Sequence, residues 1–308
     1  MEKKDLVIIG SGPAGLSAAV YAQRAMLEQV VIEKESYSGG QIVVTDKVDN
    51  YLGLPGEGGY ELSVRFREHA DKLKVPFLEG EVVKIKDQKD FKEVHMENGD
   101  IIKTEAVIIA AGASHKKLGV PGETELTGAG VSYCATCDGA FFKEKTVAVI
   151  GGGDVALSDA VYLSEICKKV YLIHRREELR GAKNLQDKIF EKENIEFLPY
   201  CEVKEICGKN KVENIVISDN RTNEQRKLEV SGVFVAIGMK PQSEFVKDIV
   251  DIDNSGYIKA GEDCRTNVDK IYAIGDIRTK PLRQIVTAVS DGAVAVSSFE
   301  YDNMNVKN

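Results

Sequence analysis

A glycine pattern occurs twice in this 308-residue chain, and each copy lies between a strand-like apolar run and a run of small residues suited to a helix. The first copy runs Leu6 to Ile9, then Gly10-Ser-Gly12-Pro13-Ala14-Gly15, then Leu16-Ser-Ala-Ala-Val20. A strand that ends in such a turn and passes into a close-packed helix is the phosphate-binding opening of a doubly wound α/β domain. The glycines divide the work: Gly10 makes the tight turn, Gly12 lets backbone approach a pyrophosphate, and Gly15 lets helix and strand pack closely. The helix N-terminus adds free N–H groups and a positive dipole end. A second apolar run, Val30 to Ile32, ends in Glu33, close to the offset of roughly 20 residues at which an acid binds a ribose 2′-hydroxyl.

The second copy repeats this grammar. Thr146 to Ile150 reads as a strand, Gly151-Gly-Gly153-Asp154-Val155-Ala156 as the turn with alanine for the third glycine, and Asp154 to about Leu163 as the helix. Its next strand, Val170 to Ile173, ends in His174-Arg175-Arg176, with Arg180 expected one helical turn further on. The offset is that of Glu33, but the charge is reversed. An acid repels a 2′-phosphate, whereas guanidinium groups present a fork of donors to its oxygens. The first unit is therefore expected to take a nucleotide with an unmodified ribose and the second NADPH, against the plainer reading of 174–180 as a solvated basic helix start.

Between the two units lies Cys134-Ala-Thr-Cys137-Asp138-Gly139. Two cysteines at this spacing can close a small disulfide and lower one another's thiol pKa. Half of a zinc site and an inert thiol pair are the alternatives, but for zinc no second pair of this spacing exists and the nearest histidine, His115, is far upstream. Asp138 is open to two roles, shuttling the proton of thiol–disulfide exchange or forming the turn before Gly139. A hydride donor and a dithiol exchange electrons efficiently only through a mediator, and a flavin is the usual one, so FAD is expected in the first unit.

Composition narrows the remaining classes. The net charge of −8 disfavours nucleic acid as a partner. No apolar run approaches the length of a membrane span, and glycines interrupt the N-terminal stretch where a signal sequence would continue. Cys167, Cys201, Cys207 and Cys264 follow no spacing pattern and read as reduced structural thiols of a cytoplasmic protein. His69 and His95 have no serine or cysteine motif around them and read as surface or core-edge residues.

Over essentially its whole length the chain resembles the low-molecular-weight, bacterial-type thioredoxin reductases of the pyridine nucleotide-disulfide oxidoreductase family. The resemblance rests on both glycine motifs, Gly39-Gly40-Gln41, the C-A-T-C-D-G run, the basic tail through Arg180, and the block from Gly275-Asp276 through Arg283-Gln284-Ile285. It implies an α/β fold of two Rossmann-like domains: an FAD domain from residues 1–115 and 246–308, and an NADPH domain, 116–245, inserted into it and carrying the dithiol. The polar joints Ala111 to Lys117 and Gly238 to Ser243 suit such crossings, and two short crossings side by side would make a hinge. It implies that Gly40, Gln41, Asn50, Gly112, Gly275, Asp276 and the Arg-Gln-Ile segment help hold FAD. It further implies that Cys137 faces the flavin, Cys134 forms the mixed disulfide, Asp138 is the acid/base, and the inserted domain rotates so that nicotinamide and dithiol reach the flavin in turn. Thioredoxin is the expected acceptor, since no additional N-terminal redox domain is seen, and a homodimer the expected assembly.

Ser158, Gly181 and Ala111 depart from the commoner family residues, the first two bordering the nucleotide site. The competing readings are the same flavin–dithiol chemistry with another acceptor or donor, and a flavin-bound redox sensor.

Overall fold

The computed structural model describes residues 3–45 and 47–306. The chain divides into two compact units, one built from the residues up to Ser114 together with those from Lys240 onward, the other from His115–Met239. The outer bounds expected at residues 1 and 308 lie outside the described residues. The second crossing falls between Met239 and Lys240, a few residues before the expected 246, and Gln242 and Ser243 already donate to the Gly112 and Gly256 carbonyls of the first unit.

In that unit the expected opening forms as β1 (Lys4–Ile9), α1 (Pro13–Arg24) and β2 (Gln29–Glu33), followed by a 3-10 turn, Gly40–Val44, and helix α2 (Gly59–Lys72). Strands β3 (Phe77–Glu79), β4 (Val82–Asp87), β5 (Lys92–Met96) and β6 (Ile101–Ile109) complete the order β3-β2-β1-β6-β5-β4. The ladders among β3, β2, β1 and β6 are parallel, whereas β4 and β5 join as an antiparallel hairpin. After β7 (Ala113–His115) the chain enters the inserted unit.

That unit contains β8 (Val131–Ser132), the short helix α3 (Ala135–Asp138), β9 (Thr146–Ile150), α4 (Asp154–Ser164), β10 (Lys169–Ile173), α5 (Lys183–Glu191) and β11 (Ile195–Leu198). A three-stranded antiparallel sheet follows, β12 (Cys201–Cys207), β13 (Asn214–Asp219) and β14 (Gln225–Glu229), then β15 (Gly232–Val235). The principal sheet is wholly parallel, in the order β11-β10-β9-β15-β8. Strand β16 (Met239–Pro241) pairs with β7, so the two crossings run side by side. The first unit then closes with β17 (Ile271–Ala273), which pairs in parallel with β6, a 3-10 turn at Gly275–Ile277, and α6 (Ile285–Val306).

The two units solve the same packing problem in the same way. Alternation along β1 sends Leu6 and Ile8 into the cluster with α1 and α6, and Val7 and Ile9 into the cluster with the β4–β5 hairpin. In β9, Val147 and Val149 face α4 while Ala148 and Ile150 face the β12–β14 sheet. The small residues of α1 let α6 approach closely: a Cβ on Gly292 would fall 2.5 Å from the Ala14 carbonyl oxygen. Strand ends and glycine turns are thus fixed by cores buried on both faces of each sheet.

Candidate functional site

At the first glycine turn the three glycines are separated by what surrounds them. A Cβ on Gly10, at φ +103°, would lie 2.5 Å from the Ala110 carbonyl oxygen, and one on Gly15 would lie 1.9 Å from that of Gly10. Gly12 is different, since its nearest neighbour on that side is the Gly39 carbonyl oxygen at 3.9 Å. Gly12 and Gly40 stand face to face, with a Cβ on Gly40 reaching to 3.6 Å of the Gly12 Cα. Pro13 starts α1 and Gly12 caps it without a side-chain acceptor, so Ala14 and the amides beside it are not claimed by a capping oxygen. Glu33 ends β2, where its Oε2 accepts from the Ser11 amide at 2.7 Å and the Ser11 hydroxyl at 2.8 Å.

The C-terminal block converges on the same unit. Gln41 Nε2 lies 3.4 Å from Asp276 Oδ2, and Asn50 donates to Gln284 Oε1 at 2.9 Å. Burial pushes the Asp276 carboxyl up, opposed by Lys280 and Arg283. The Arg283 guanidinium lies over Tyr257, and its buried Nε has no hydrogen-bond partner among the described residues. Ile285 packs with Ile42, Val48 and Leu62, while Gly112, at φ +67°, has nothing within 4 Å of a Cβ. Gly275 donates its amide to Asp291, which also accepts from Arg278 and Lys280, all with buried side chains. Asp291, Arg278 and Lys280 were not anticipated as site residues; the sequence signal for Asp291 is a charge inside the apolar opening of α6, whereas Arg278 and Lys280 lie in the segment before that helix.

The second turn is built alike. A Cβ on Gly151 would meet the Ala236 carbonyl oxygen at 2.4 Å and Ala156 Cβ at 2.7 Å, so Ala156 fills the space that a third glycine leaves open. Gly153 has nothing within 4 Å of a Cβ, and Val155, on the first turn of α4, is 64% exposed. The His174 ring covers Gly152, and its buried Nε2 has no partner among the described residues; burial lowers its pKa, reinforced by Arg180, Arg175 and Arg176. The three arginines are exposed and form no ion pair among the described residues.

The helical turn expected between His174 and Arg180 is absent. Residues 174–181 form no helical turn; they are irregular, and α5 begins only at Lys183. The reason lies in the hydrogen bonds: the Gly152 carbonyl accepts the amides of Arg180 and Gly181, and Asp154 Oδ1 accepts that of Ala182, so these donors are taken by the glycine turn. Gly181 has no room for a side chain, because a Cβ would lie 2.4 Å from Leu157 Cδ1. Ser158 is exposed.

Cys134 and Cys137 are joined by a disulfide, with Cα atoms 5.3 Å apart, and Cys134 caps the short helix α3. Thr136 Oγ1 lies 3.4 Å from Cys134 Sγ. Asp138 closes α3 with Oδ2 2.5 Å from the Ser132 hydroxyl. Tyr133, next to the dithiol, donates to Glu123 at 2.9 Å and stacks on His115, whose pKa burial lowers to about 4. Glu123 is buried and also accepts the amides of Leu118 and Gly119. Ser132 and Glu123 likewise escaped the sequence reading, since neither residue type stands out in a strand or loop. The other four cysteines are free, Cys207 partly exposed and the rest buried. Among the described residues no His, Cys, Asp and Glu cluster is arranged to hold a metal, and no helix is long and apolar enough to cross a membrane.

Two glycine-turn units and a disulfide at a helix start define a nucleotide-dependent disulfide oxidoreductase. The sequence matches the family described as pyridine nucleotide-disulphide oxidoreductase over residues 4–292, and the chain belongs to that family. It is 45% identical over 298 residues to a thioredoxin reductase of Bacillus subtilis, covering 96% of this chain and 94% of that one. A thioredoxin reductase of Peptoclostridium litorale is 42% identical over 303 residues, with 96% of each chain covered. Among solved structures, thioredoxin reductase from Streptococcus pyogenes superposes with a TM-score of 0.93 at 42% identity, covering 98% of this chain and 99% of the other.

Proposed function

We propose that the chain is a thioredoxin-disulfide reductase that carries electrons from NADPH through FAD to the Cys134–Cys137 pair and on to thioredoxin. The observation that carries this reading is the disulfide at the start of α3, in the same unit as a glycine turn tied to exposed arginines. A redox sensor has no need of this complete route.

The residues present fit both nucleotides. Gly12 leaves backbone accessible where a pyrophosphate would lie, with Gly10, Pro13, Ala14, Gly15, Gly40 and Gly112 shaping the cradle and Glu33 placed for a ribose hydroxyl. Gln41, Asn50, Gly275, Asp276, Arg283, Gln284 and Ile285 would complete the flavin site, and the unpartnered Arg283 Nε suits an acceptor on a ligand. Gly151, Gly153, Asp154, Val155 and Ala156 would hold the second pyrophosphate, and His174, Arg175, Arg176 and Arg180 the 2′-phosphate. Bound flavin supplies the exchange between a hydride donor and a dithiol.

The chain's own sulfur chemistry then follows. Reduced Cys134 attacks a sulfur of the acceptor's disulfide, and Cys137 resolves the mixed disulfide by attacking Cys134. Asp138 holds the proton exchanged at these sulfurs. Both nucleotide and dithiol belong to the inserted unit, so they use the flavin in turn, with the crossings at β7 and β16 as the hinge. The assembly proposed is a cytoplasmic homodimer. NADPH consumption with oxidised thioredoxin tests the reading: turnover is expected from the native holoenzyme and none from Cys134→Ser or Cys137→Ser. Turnover by either variant overturns it, and flavin reduction without thioredoxin turnover points to another acceptor.

A further inference from the structure

Ser132 ends β8 with only 5% of its surface exposed, and three polar atoms surround its hydroxyl. Asp138 Oδ2 lies at 2.5 Å, the Cys134 amide nitrogen at 3.1 Å and the Cys134 carbonyl oxygen at 3.3 Å. A serine hydroxyl has one proton to give and two lone pairs to receive. It therefore cannot donate to Asp138 and to the Cys134 carbonyl at once. With Asp138 ionised, Ser132 donates to Oδ2 and accepts the Cys134 amide. With Asp138 protonated, the acid donates to Ser132 Oγ, which still accepts the Cys134 amide and turns its own proton to the Cys134 carbonyl.

We infer that Ser132 is a positioning residue for proton transfer at the dithiol, its single hydroxyl proton alternating between Asp138 Oδ2 and the Cys134 carbonyl as Asp138 loses and gains a proton. The inference rests on the acid/base reading of Asp138. It explains how a partly buried carboxyl changes charge without leaving its Oδ2 or the buried serine oxygen unpaired, a loss that costs most where the partner is out of water, as Ser132 is.

In the exchange, Cys134 passes its proton to Asp138 and attacks one sulfur of the acceptor disulfide. That bond breaks, and the departing acceptor thiolate takes the proton. Cys137, deprotonated in the same way, then attacks Cys134 Sγ, restoring the Cys134–Cys137 bond and releasing the second acceptor thiolate, which takes the second proton. Two cysteine thiols are oxidised to one disulfide, and one acceptor disulfide is reduced to two thiols.

The segments packed around this turn bring other titratable groups. Helix α4 carries Asp159, whose carboxyl burial pushes to about 7, and Tyr162, which lies against Gly139. Tyr133, Glu123 and His115 lie on the entering side, and Lys143, Glu144 and Lys145 follow at the surface. Asp159 titrates inside the relevant pH range, so its contribution has to be separated.

The test is the rate at which chemically reduced holoenzyme reduces oxidised bacterial thioredoxin in a single turnover, measured against pH. The chain has no tryptophan, so thioredoxin emission reports the exchange without background. Ser132→Ala is expected to slow exchange about tenfold and move the acid limb up by about one pH unit, since the lost donor favoured the charged carboxyl. Ser132→Thr, which keeps the hydroxyl, is expected to restore rate and limb, and the Ser132→Ala shift is expected to persist in an Asp159→Asn background. The inference is overturned by an alanine profile that overlays the native one, by equal impairment of alanine and threonine variants with no pH shift, or by disappearance of the shift with Asp159→Asn. Asp138→Asn, run beside them, is expected to abolish exchange; full activity would instead remove the acid/base reading itself, and the inference with it.

Discussion

The backbone amide of Arg180 donates to the carbonyl of Gly152 at 2.7 Å, tying the glycine turn to the basic segment that follows the next strand. This bond holds two sequence motifs together, so that in the proposed nucleotide site the open backbone of the turn and the guanidinium groups would act on one ligand. Replacing Arg176 with alanine is expected to raise KM for NADPH by about ten- to a hundredfold, the worth of one charge-assisted hydrogen bond, and to leave NADH kinetics within about twofold. Steady-state kinetics with both nucleotides checks this; an equal loss for the two would place Arg176 away from the 2′-phosphate.

Gly12 and Gly15 should respond differently to the same substitution. Gly12 has φ −71° and open space before it, so Gly12→Ala is expected to leave the melting temperature of flavin-stripped protein unchanged while weakening FAD binding. Gly15→Ala drives a methyl into the Gly10 carbonyl and is expected to cost about 3 kcal/mol or more in the stripped protein itself. Calorimetry with and without FAD separates the two. Equal destabilisation would refute the division of labour between these glycines.

Asp291 neutralises two buried cations and holds the Gly275 amide. Asp291→Asn should destabilise the first unit by about 3–5 kcal/mol, because Arg278 and Lys280 are left without a countercharge. Burial pushes the Asp291 carboxyl up, but donation from Arg278 and Lys280 outweighs it and holds the pKa below the ordinary value. A depressed acid contributes stability above its unfolded pKa of about 4 and loses it as pH falls through the folded value. Denaturant unfolding from neutral to acid pH should therefore show a steeper acid loss in the native protein than in the asparagine variant.

Asp159 has the opposite sign. Burial raises its pKa to about 7, so ionisation is penalised in the folded state and stability falls as pH rises from the unfolded pKa toward that value. The slope is at most about 1.4 kcal/mol per pH unit, and Asp159→Asn should flatten it. Unfolding of the native and variant chains across this range reads the difference directly.

Much of this arrangement is legible in the amino-acid sequence. Gly10, Gly15 and Gly151 stand where a side chain collides with backbone, and alternation in β1 and β9 buries both faces, so local sequence and tertiary packing agree. Residues whose roles arise from long-range pairing were silent. Nothing in Ser132 distinguishes it from any other strand serine until Asp138 is folded back beside it. Asp291 and Arg278 meet only because α6 returns over the Gly275 turn. The helical turn expected before Arg180 failed for the same reason: the Gly152 carbonyl captured amides that a helix would have used. The β12–β14 sheet left no motif, since hydrophobic alternation specifies a strand but not its partner.

The most direct measurement is an anaerobic titration of the flavin absorbance with NADPH and, separately, with NADH. NADPH is expected to bleach the flavin at far lower concentration than NADH, and the native enzyme to take up about two hydride equivalents per flavin, one each for two-electron flavin and disulfide couples. Cys134→Ser should take up only about one, having lost the second couple. Equal response to the two nucleotides, or a single equivalent in the native enzyme, would contradict an NADPH-to-flavin-to-dithiol route.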